Sequence, residues 1–167
     1  MKFFTKTISL FLAAALPFAA AQQANYTSPQ GVEILNPSQS ISATGPWSLM
    51  SIAGDSVYVA GMRGIYPSND SMAEVGYPRI KQAFLNMQWL AEYAGAELTD
   101  CSRLVVYTTD MFRRVDGYRP IVNQVQEELW KNGTYPPRTI IEVQRLNQDD
   151  IVEVEGTFYL GSGAKYV

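Results

Sequence analysis

Apolar residues recur at helical spacing along the segment that begins at Pro78, and this is the clearest pattern in the chain. Proline is favoured at the first position of a helix and glycine commonly follows the last, so a helix is predicted from Pro78 to the stop at Gly95. A second helix is predicted to begin at Pro120 and to end at Asn132-Gly133. The predicted inward faces carry Ile80, Phe84, Met87 and Ala91 in the first helix and Ile121, Val122, Val125 and Leu129 in the second.

The segments before, between and after these helices have the composition of β-strands, with β-branched residues, aromatic residues and alternation. The order of strands, helix, strand, helix and strands predicts a two-layer α+β domain in which a mixed β-sheet carries both helices on one face. The other face would be uncovered, and a second copy of the chain is the simplest partner for it. The predicted strands are a short edge strand near 31–35, two strands within 47–60 around the turn Gly54-Asp55, an interior strand at 103–108, and final strands at 139–143 and 151–158.

Residues 1–21 have the pattern of a secretory signal peptide. Two lysines precede an apolar run from Ile8 to Ala20, and small residues at 19–21 come before Gln22, where cleavage is expected. Cleavage would remove both lysines and no acidic residue, which changes the formal net charge from -3 to -5. No later segment approaches about 18 uninterrupted apolar residues, so no membrane association is expected after cleavage. We therefore expect a secreted protein.

Three N-x-[ST] tripeptides are compatible with passage through a eukaryotic secretory route, because asparagine in this context accepts glycans. They begin at Asn25, Asn69 and Asn132. An exported bacterial protein remains the alternative, since the tripeptide is common by chance.

Composition narrows the possible chemistry. With 167 residues and 47% hydrophobic content, the chain can form one domain with a substantial core. The excess of acidic residues argues against nucleic acid as the main partner, because phosphate binding needs a basic face. The chain has no histidine, which excludes Ser-His-Asp and Cys-His nucleophile systems and most catalytic zinc sites. Cys101 is the only cysteine, so no internal disulfide or thiol metal site is expected, and we predict that it is a small buried apolar residue.

Two segments carry candidate site residues. Arg138 follows Pro136-Pro137, which restricts the backbone at a strand entrance, and a guanidinium held there suits capture of a small carboxylate. Glu153 and Glu155 lie two residues apart in an alternating strand, so they project from one face and can position a water molecule or exchange protons if desolvated. An exposed arginine at a strand end and a solvated glutamate face remain the alternatives.

These residues lie within longer strings that resemble the reactive intermediate deaminase family, also called the YjgF or RutC-like family. The Pro-x-Arg-Thr strand entry followed by the Glu-x-Glu strand is the specific part. The resemblance covers residues 43–160, which leaves 22–42 as an irregular N-terminal arm and 161–167 as a C-terminal tail. The strings are Gly45-Pro46-Trp47, Val57-Tyr58-Val59-Ala60-Gly61, Val106-Tyr107-Thr108-Thr109-Asp110-Met111, Tyr135-Pro136-Pro137-Arg138-Thr139 and Val152-Glu153-Val154-Glu155.

The resemblance implies a chorismate-mutase-like α+β fold that assembles as a homotrimer with clefts between subunits. It also implies hydrolysis of small 2-imino or 2-enamino acids to 2-keto acids and ammonia. By match, Arg138 would bind the substrate carboxylate and Glu153 would orient the attacking water. No metal or organic cofactor is needed, because an imine carbon is already electrophilic and the reaction requires mainly positioning.

Departures from the family pattern leave the substrate open. Trp47 stands where tyrosine is usual, Ile140 where many deaminating members have cysteine, and Ala60-Gly61-Met62 where Ser-Gly-Gln is usual. Trp47, Met62 and Ile140 are therefore expected to line a more apolar substrate site. One alternative is a hydrolase, isomerase or cyclase acting on a larger apolar metabolite. Another is a non-catalytic protein that binds small carboxylates or acts in extracellular interactions. A ribonuclease, an activity ascribed to some members, is disfavoured by the acidic charge and the absence of histidine.

Overall fold

A seven-stranded mixed sheet and two helices form the part of the chain that the computed structural model describes, residues 24–112, 117–131 and 133–161. The strands lie in the order β1-β2-β3-β4-β7-β5-β6, and β5 and β6 are the parallel pair. The α+β fold predicted from the order of elements is confirmed. The elements are β1 (Tyr26–Thr27), β2 (Glu33–Leu35), β3 (Met50–Ala53), β4 (Ser56–Met62), α1 (Tyr77–Tyr93), β5 (Cys101–Thr108), α2 (Tyr118–Leu129), β6 (Arg138–Glu142) and β7 (Val152–Tyr159).

The hydrophobic core lies between one face of the sheet and both helices. Strand residues alternate between that face and the opposite one, as in β7, where Val152, Val154 and Phe158 are buried. α1 packs on β4 and β7 and against α2. The core residues supplied by the helices include Ile80, Ala83, Phe84, Met87, Leu90, Val122 and Val125.

Local signals account for the ends of α1. Pro78 occupies the first turn, where its missing N–H is not needed by the helix. Gly95 follows the last turn with φ of 88°, a left-handed conformation that glycine adopts without steric cost. α2 begins at Tyr118, two residues before the predicted start, and ends at Leu129, before the predicted stop.

The segment predicted as an irregular arm contributes to the sheet. β2 pairs with β3 and is not an edge strand, because β1 pairs on its outer side. Leu35 and Ile41 from this segment are buried in the core. The predicted signal peptide at 1–21 and most of the predicted tail at 161–167 lie outside the described residues.

The face of the sheet opposite the helices mixes aromatic, aliphatic and acidic side chains. Tyr58 and Tyr159 are 46% and 48% exposed there, and Ile141 is 40% exposed. Glu153 and Glu155 project from the same face of β7. This face is where a second copy was predicted to pack.

Candidate functional site

Glu153 lies on the uncovered face of β7, directly against the backbone of Gly61 in β4. A Cβ atom added at Gly61 would overlap the Glu153 carboxylate, so glycine is required for this approach. The carboxylate borders a cavity of about 290 Å³, which we call the Glu153 cavity. Its lining residues are Ile41, Ser42, Thr44, Trp47, Ala60, Gly61, Arg63, Ile65, Asn147 and Glu153.

The surroundings of Glu153 favour its protonated form. Burial raises the pKa of this carboxyl above its ordinary value of 4.5, because a desolvated carboxylate loses its hydration. Arg63 opposes the shift by attraction, while Glu155 and Asp150 add to it by repulsion. A carboxylate whose pKa is raised in a cavity is a stronger proton acceptor than an ordinary one, so Glu153 is a candidate for general acid–base chemistry.

Two buried guanidinium groups share one buried carboxylate beside this cavity. Asp150 is fully buried and accepts hydrogen bonds from Arg63 Nε at 2.9 Å and from Arg79 Nη1 at 3.0 Å. Arg63 also donates from Nη1 to Gln148 Oε1 at 3.0 Å. Arg63 lines the Glu153 cavity, whereas Arg79 turns away from it and donates to the carbonyl of Ala73.

Arg138 opens the edge strand β6 and points toward α2. Its Nη1 donates to Gln126 Oε1 at 2.7 Å and its Nη2 donates to Asn123 Oδ1 at 2.9 Å. Burial, followed by repulsion from Arg119, lowers the pKa of Arg138 below its ordinary value. The guanidinium borders a second cavity of about 290 Å³, which we call the Arg138 cavity, lined by Asn123, Gln126, Glu127, Tyr135, Pro136 and Arg138.

Within one chain, Arg138 and Glu153 lie on opposite faces of the sheet. Leu104 of β5 pairs with Arg138 on one side and with Gly156 on the other. Paired residues project from the same face of the sheet, and for these three it is the helix-covered face. Tyr107 pairs with Glu153 and belongs to the uncovered face. A single subunit therefore does not bring the two predicted site residues into one cavity.

The three predicted substrate-binding residues are separated. Trp47 is 38% exposed and lines the Glu153 cavity. Ile140 is half-buried on the same face of β6 as Arg138. Met62 has no exposed surface and packs in the core, so its assignment to a substrate site is corrected.

A β-bulge explains the position of Met62. Val59 pairs with Gly156 and Met62 with Val154, so three steps along β4 match two steps along β7. The extra residue turns Met62 to the core face, although alternation from Val59 would place it on the uncovered one. Of the three residues predicted to make the substrate site more apolar, the Glu153 cavity therefore contains Trp47 and neither Met62 nor Ile140.

The remaining predicted residues have clear locations. Cys101 is 8% exposed, and burial raises the pKa of its thiol to about 11, so it is un-ionised at neutral pH. Asn25 and Asn69 are exposed, and Asn132 lies outside the described residues. Within the described ranges, no three side chains cluster as ligands for a metal ion. Neither α1 nor α2 is long and apolar enough to cross a bilayer.

Gly61 and Arg63 are site residues that the sequence did not single out for a role. The partner of Arg63 is Asp150, which lies 87 residues further along the chain in a polar segment. No local sequence pattern connects the two residues. The contact between Gly61 and Glu153 likewise depends on the register of β4 against β7.

Comparison with known proteins gives consistent matches. A family model described as endoribonuclease L-PSP matches residues 37–159. The chain is 25% identical over 129 residues to a human 2-iminobutanoate/2-iminopropanoate deaminase, an alignment that covers 77% of this chain and 90% of that protein. A protein with the same description from Dermatophagoides farinae is 29% identical, over 66% of this chain and 83% of that protein.

Solved structures agree on the fold. A protein from Rhodopseudomonas palustris, described as a probable translation initiation inhibitor, is 41% identical, with a TM-score of 0.71 over 77% of this chain and 98% of that one. Escherichia coli TdcF, solved with bound serine, is 20% identical with a TM-score of 0.68, over 76% of this chain and 98% of that one. The latter likeness concerns the fold alone.

Proposed function

Given that the chain belongs to the endoribonuclease L-PSP family, which includes the YjgF, RidA and RutC proteins, we propose that it hydrolyses small 2-imino or 2-enamino acids to 2-keto acids and ammonia. The observation that supports this most directly is the environment of Glu153. Its carboxyl group is half-buried, borders a small cavity and has a raised pKa. The descriptions of the human and mite relatives as 2-iminobutanoate/2-iminopropanoate deaminases support the same reaction class.

Glu153 is the group that moves protons in this proposal. Its carboxylate accepts a proton from water as the water oxygen bonds to the iminium carbon and the C=N electron pair moves to nitrogen. Glu153 then returns that proton to the amino group of the carbinolamine. The C–N bond breaks, ammonia leaves, and the hydroxyl proton is released as the carbonyl forms. The sum is one iminium and one water converted to one keto acid and one ammonium ion.

Arg138 binds the substrate carboxylate in this proposal, and it comes from a neighbouring copy of the chain. The two groups occupy opposite faces within one subunit. Arg138 lies at the start of the edge strand β6, and the face that carries Glu153 is uncovered. A homotrimer in which the edge of one subunit meets the uncovered face of the next would unite Arg138 with Glu153 in each cleft.

The test is release of ammonia and keto acid from 2-imino acids generated freshly by an amino acid oxidase. Wild type should exceed the buffer rate, and Arg138→Ala and Glu153→Gln should each lose about 100-fold or more. Glu92→Gln and Arg103→Ala remove matched charges at exposed positions outside both cavities and should retain activity. Wild-type release equal to buffer, or equal rates in all five proteins, would refute the proposal.

Carboxylate binding without turnover is the second candidate. It is favoured by one observation, that Arg138 has its own cavity in the single chain, apart from Glu153. In this case keto acids would bind, Arg138→Ala would abolish binding, and no protein would release ammonia above buffer.

We propose that the protein is exported after cleavage before Gln22 and carries glycans. The pattern of residues 1–21 and the exposure of Asn25 and Asn69 support this. The N-terminal sequence of the secreted protein should begin at Gln22, and N-glycosidase treatment should lower its mass. Retention inside the cell with Met1 intact would contradict export.

A further inference from the structure

Arg63 brings a buried, incompletely bonded guanidinium to the wall of the Glu153 cavity. Its Nε is bonded to Asp150 and its Nη1 to Gln148, but Nη2 has no hydrogen-bond partner among the described residues. The residue is only 7% exposed. A buried N–H group without an acceptor is costly, so such groups are rare unless a ligand or water completes them.

The charges around Arg63 also favour the binding of an anion. Arg63 and Arg79 are both buried, and Asp150 is the carboxylate they share. Among the described buried groups of this cluster, one positive charge is therefore left over. Glu153 also attracts Arg63 across the cavity, while burial raises the pKa of the Glu153 carboxyl above its ordinary value.

We propose that Arg63 binds a second carboxylate of the substrate, so that the preferred substrates are 2-imino acids with an acidic side chain. The inference rests on the proposed deamination and names its substrate class. Arg138 of a neighbouring copy would hold the carboxylate next to the imine carbon, and Arg63 would hold the distal one beside Glu153.

The size and lining of the cavity suit a small dicarboxylic acid. Its volume of about 290 Å³ is at the small end of ligand pockets, which begin near 300 Å³. Ser42, Thr44 and Asn147 supply polar groups in its wall, and Trp47 supplies an aromatic surface. A carboxylate is favoured over a neutral acceptor because charge-assisted hydrogen bonds to guanidinium are the stronger kind.

The experiment compares two imines in wild type, Arg63→Lys and Arg79→Lys. One imine is made from glutamate and the other from 2-aminobutanoate, each with a suitable amino acid oxidase. Arg79→Lys is the matched control, because Arg79 shares Asp150 but does not line the cavity. Melting temperatures of all three proteins check that each variant folds.

We expect wild type to prefer the glutamate-derived imine, and Arg63→Lys to lower kcat/KM for it by about 10- to 100-fold while the other imine changes less than about 3-fold. Arg79→Lys should keep the wild-type ratio. Calorimetry with 2-oxoglutarate and 2-oxobutanoate should show the same selective loss in Arg63→Lys. If Arg63→Lys hydrolyses both imines with the wild-type ratio of kcat/KM, the proposed role of Arg63 is wrong, whereas the proposed deamination stands. Hydrolysis of neither imine by wild type would overturn the proposed deamination itself.

Discussion

The carboxylate of Glu153 lies against the backbone of Gly61 so closely that a methyl group at position 61 would overlap it. Gly61→Ala should therefore displace Glu153 from its place in the cavity. We expect kcat to fall by about 10-fold or more, since small misplacements of a catalytic group are costly. Stability should change little, because the displaced atoms are the end of a flexible side chain. Steady-state kinetics and thermal unfolding on the same samples measure both effects.

A double-mutant cycle tests whether the effect of Gly61→Ala acts through Glu153. Gly61→Ala in the Glu153→Gln background should cause little further loss, since the group it displaces no longer exchanges protons. Full additivity of the two losses would show that position 61 acts by another route.

The raised pKa of Glu153 makes stability depend on pH. Because the native pKa lies above the ordinary value of 4.5, ionisation of this group disfavours the folded state. This destabilisation is absent at pH values below the pKa of Glu153 in the unfolded chain. It develops as the pH rises through the pKa of Glu153 in the folded protein. Glu153→Gln should therefore raise the melting temperature relative to wild type at about pH 8 and lose that advantage near pH 4. Glu92→Gln, at an exposed position of α1, serves as the reference, and an advantage that does not vary with pH would contradict the prediction.

Asp150 should be the most sensitive acidic residue for stability. Its fully buried carboxylate accepts from two buried arginines and from the backbone N–H of Ile151 at 2.8 Å. Asp150→Asn leaves both guanidinium charges uncompensated and should cost about 3–5 kcal/mol in the free energy of unfolding. The neighbouring Asp149 pairs with Arg145, but both side chains are 75% exposed. Asp149→Asn should cost less than about 1 kcal/mol, and urea unfolding that ranks the two variants in reverse would refute this account.

Asn123 should act as a positioning residue for Arg138. Its Oδ1 accepts from Arg138 Nη2, and with Gln126 it fixes the orientation of the guanidinium. Asn123→Ala should raise KM by roughly 10-fold with a smaller change in kcat. Gln124→Ala on the same helix should leave both constants unchanged, because Gln124 is exposed and its side chain donates to Glu128 one turn along the helix. An equal rise in KM for both variants would indicate a general effect of changing α2.

Most of the fold could be predicted from local patterns. Pro78 and Gly95 mark the ends of α1 within two residues, because a first-turn proline and a left-handed glycine act through their own backbone. The alternation in β7 correctly separates Glu153 from the core valines. The pairing of β1 with β2 was not predicted, since a strand of two residues carries no periodic signal.

The site was less predictable because it depends on contacts distant in the sequence. Met62 packs in the core and not in the substrate site predicted for it, because the bulge in β4 is visible only against its partner β7. The sequence correctly puts Arg138 at a strand entrance and Glu153 on an alternating strand. That the two occupy opposite faces follows from the register of β6 against β5 for Arg138 and of β7 against β5 for Glu153. Arg63 acquires its setting from Asp150, which no local pattern connects to it.

Complementation between two inactive variants tests the central claim most directly, namely that Arg138 of one copy and Glu153 of another act in one site. Arg138→Ala and Glu153→Gln are expressed separately and also together in equal amounts. If each site forms between two copies, random assembly of the two variants places an intact Arg138 opposite an intact Glu153 in roughly a quarter of the sites. The mixture should therefore recover about a quarter of wild-type ammonia release. Co-assembled oligomers no more active than either variant alone, or a protein that is solely monomeric, would contradict the account.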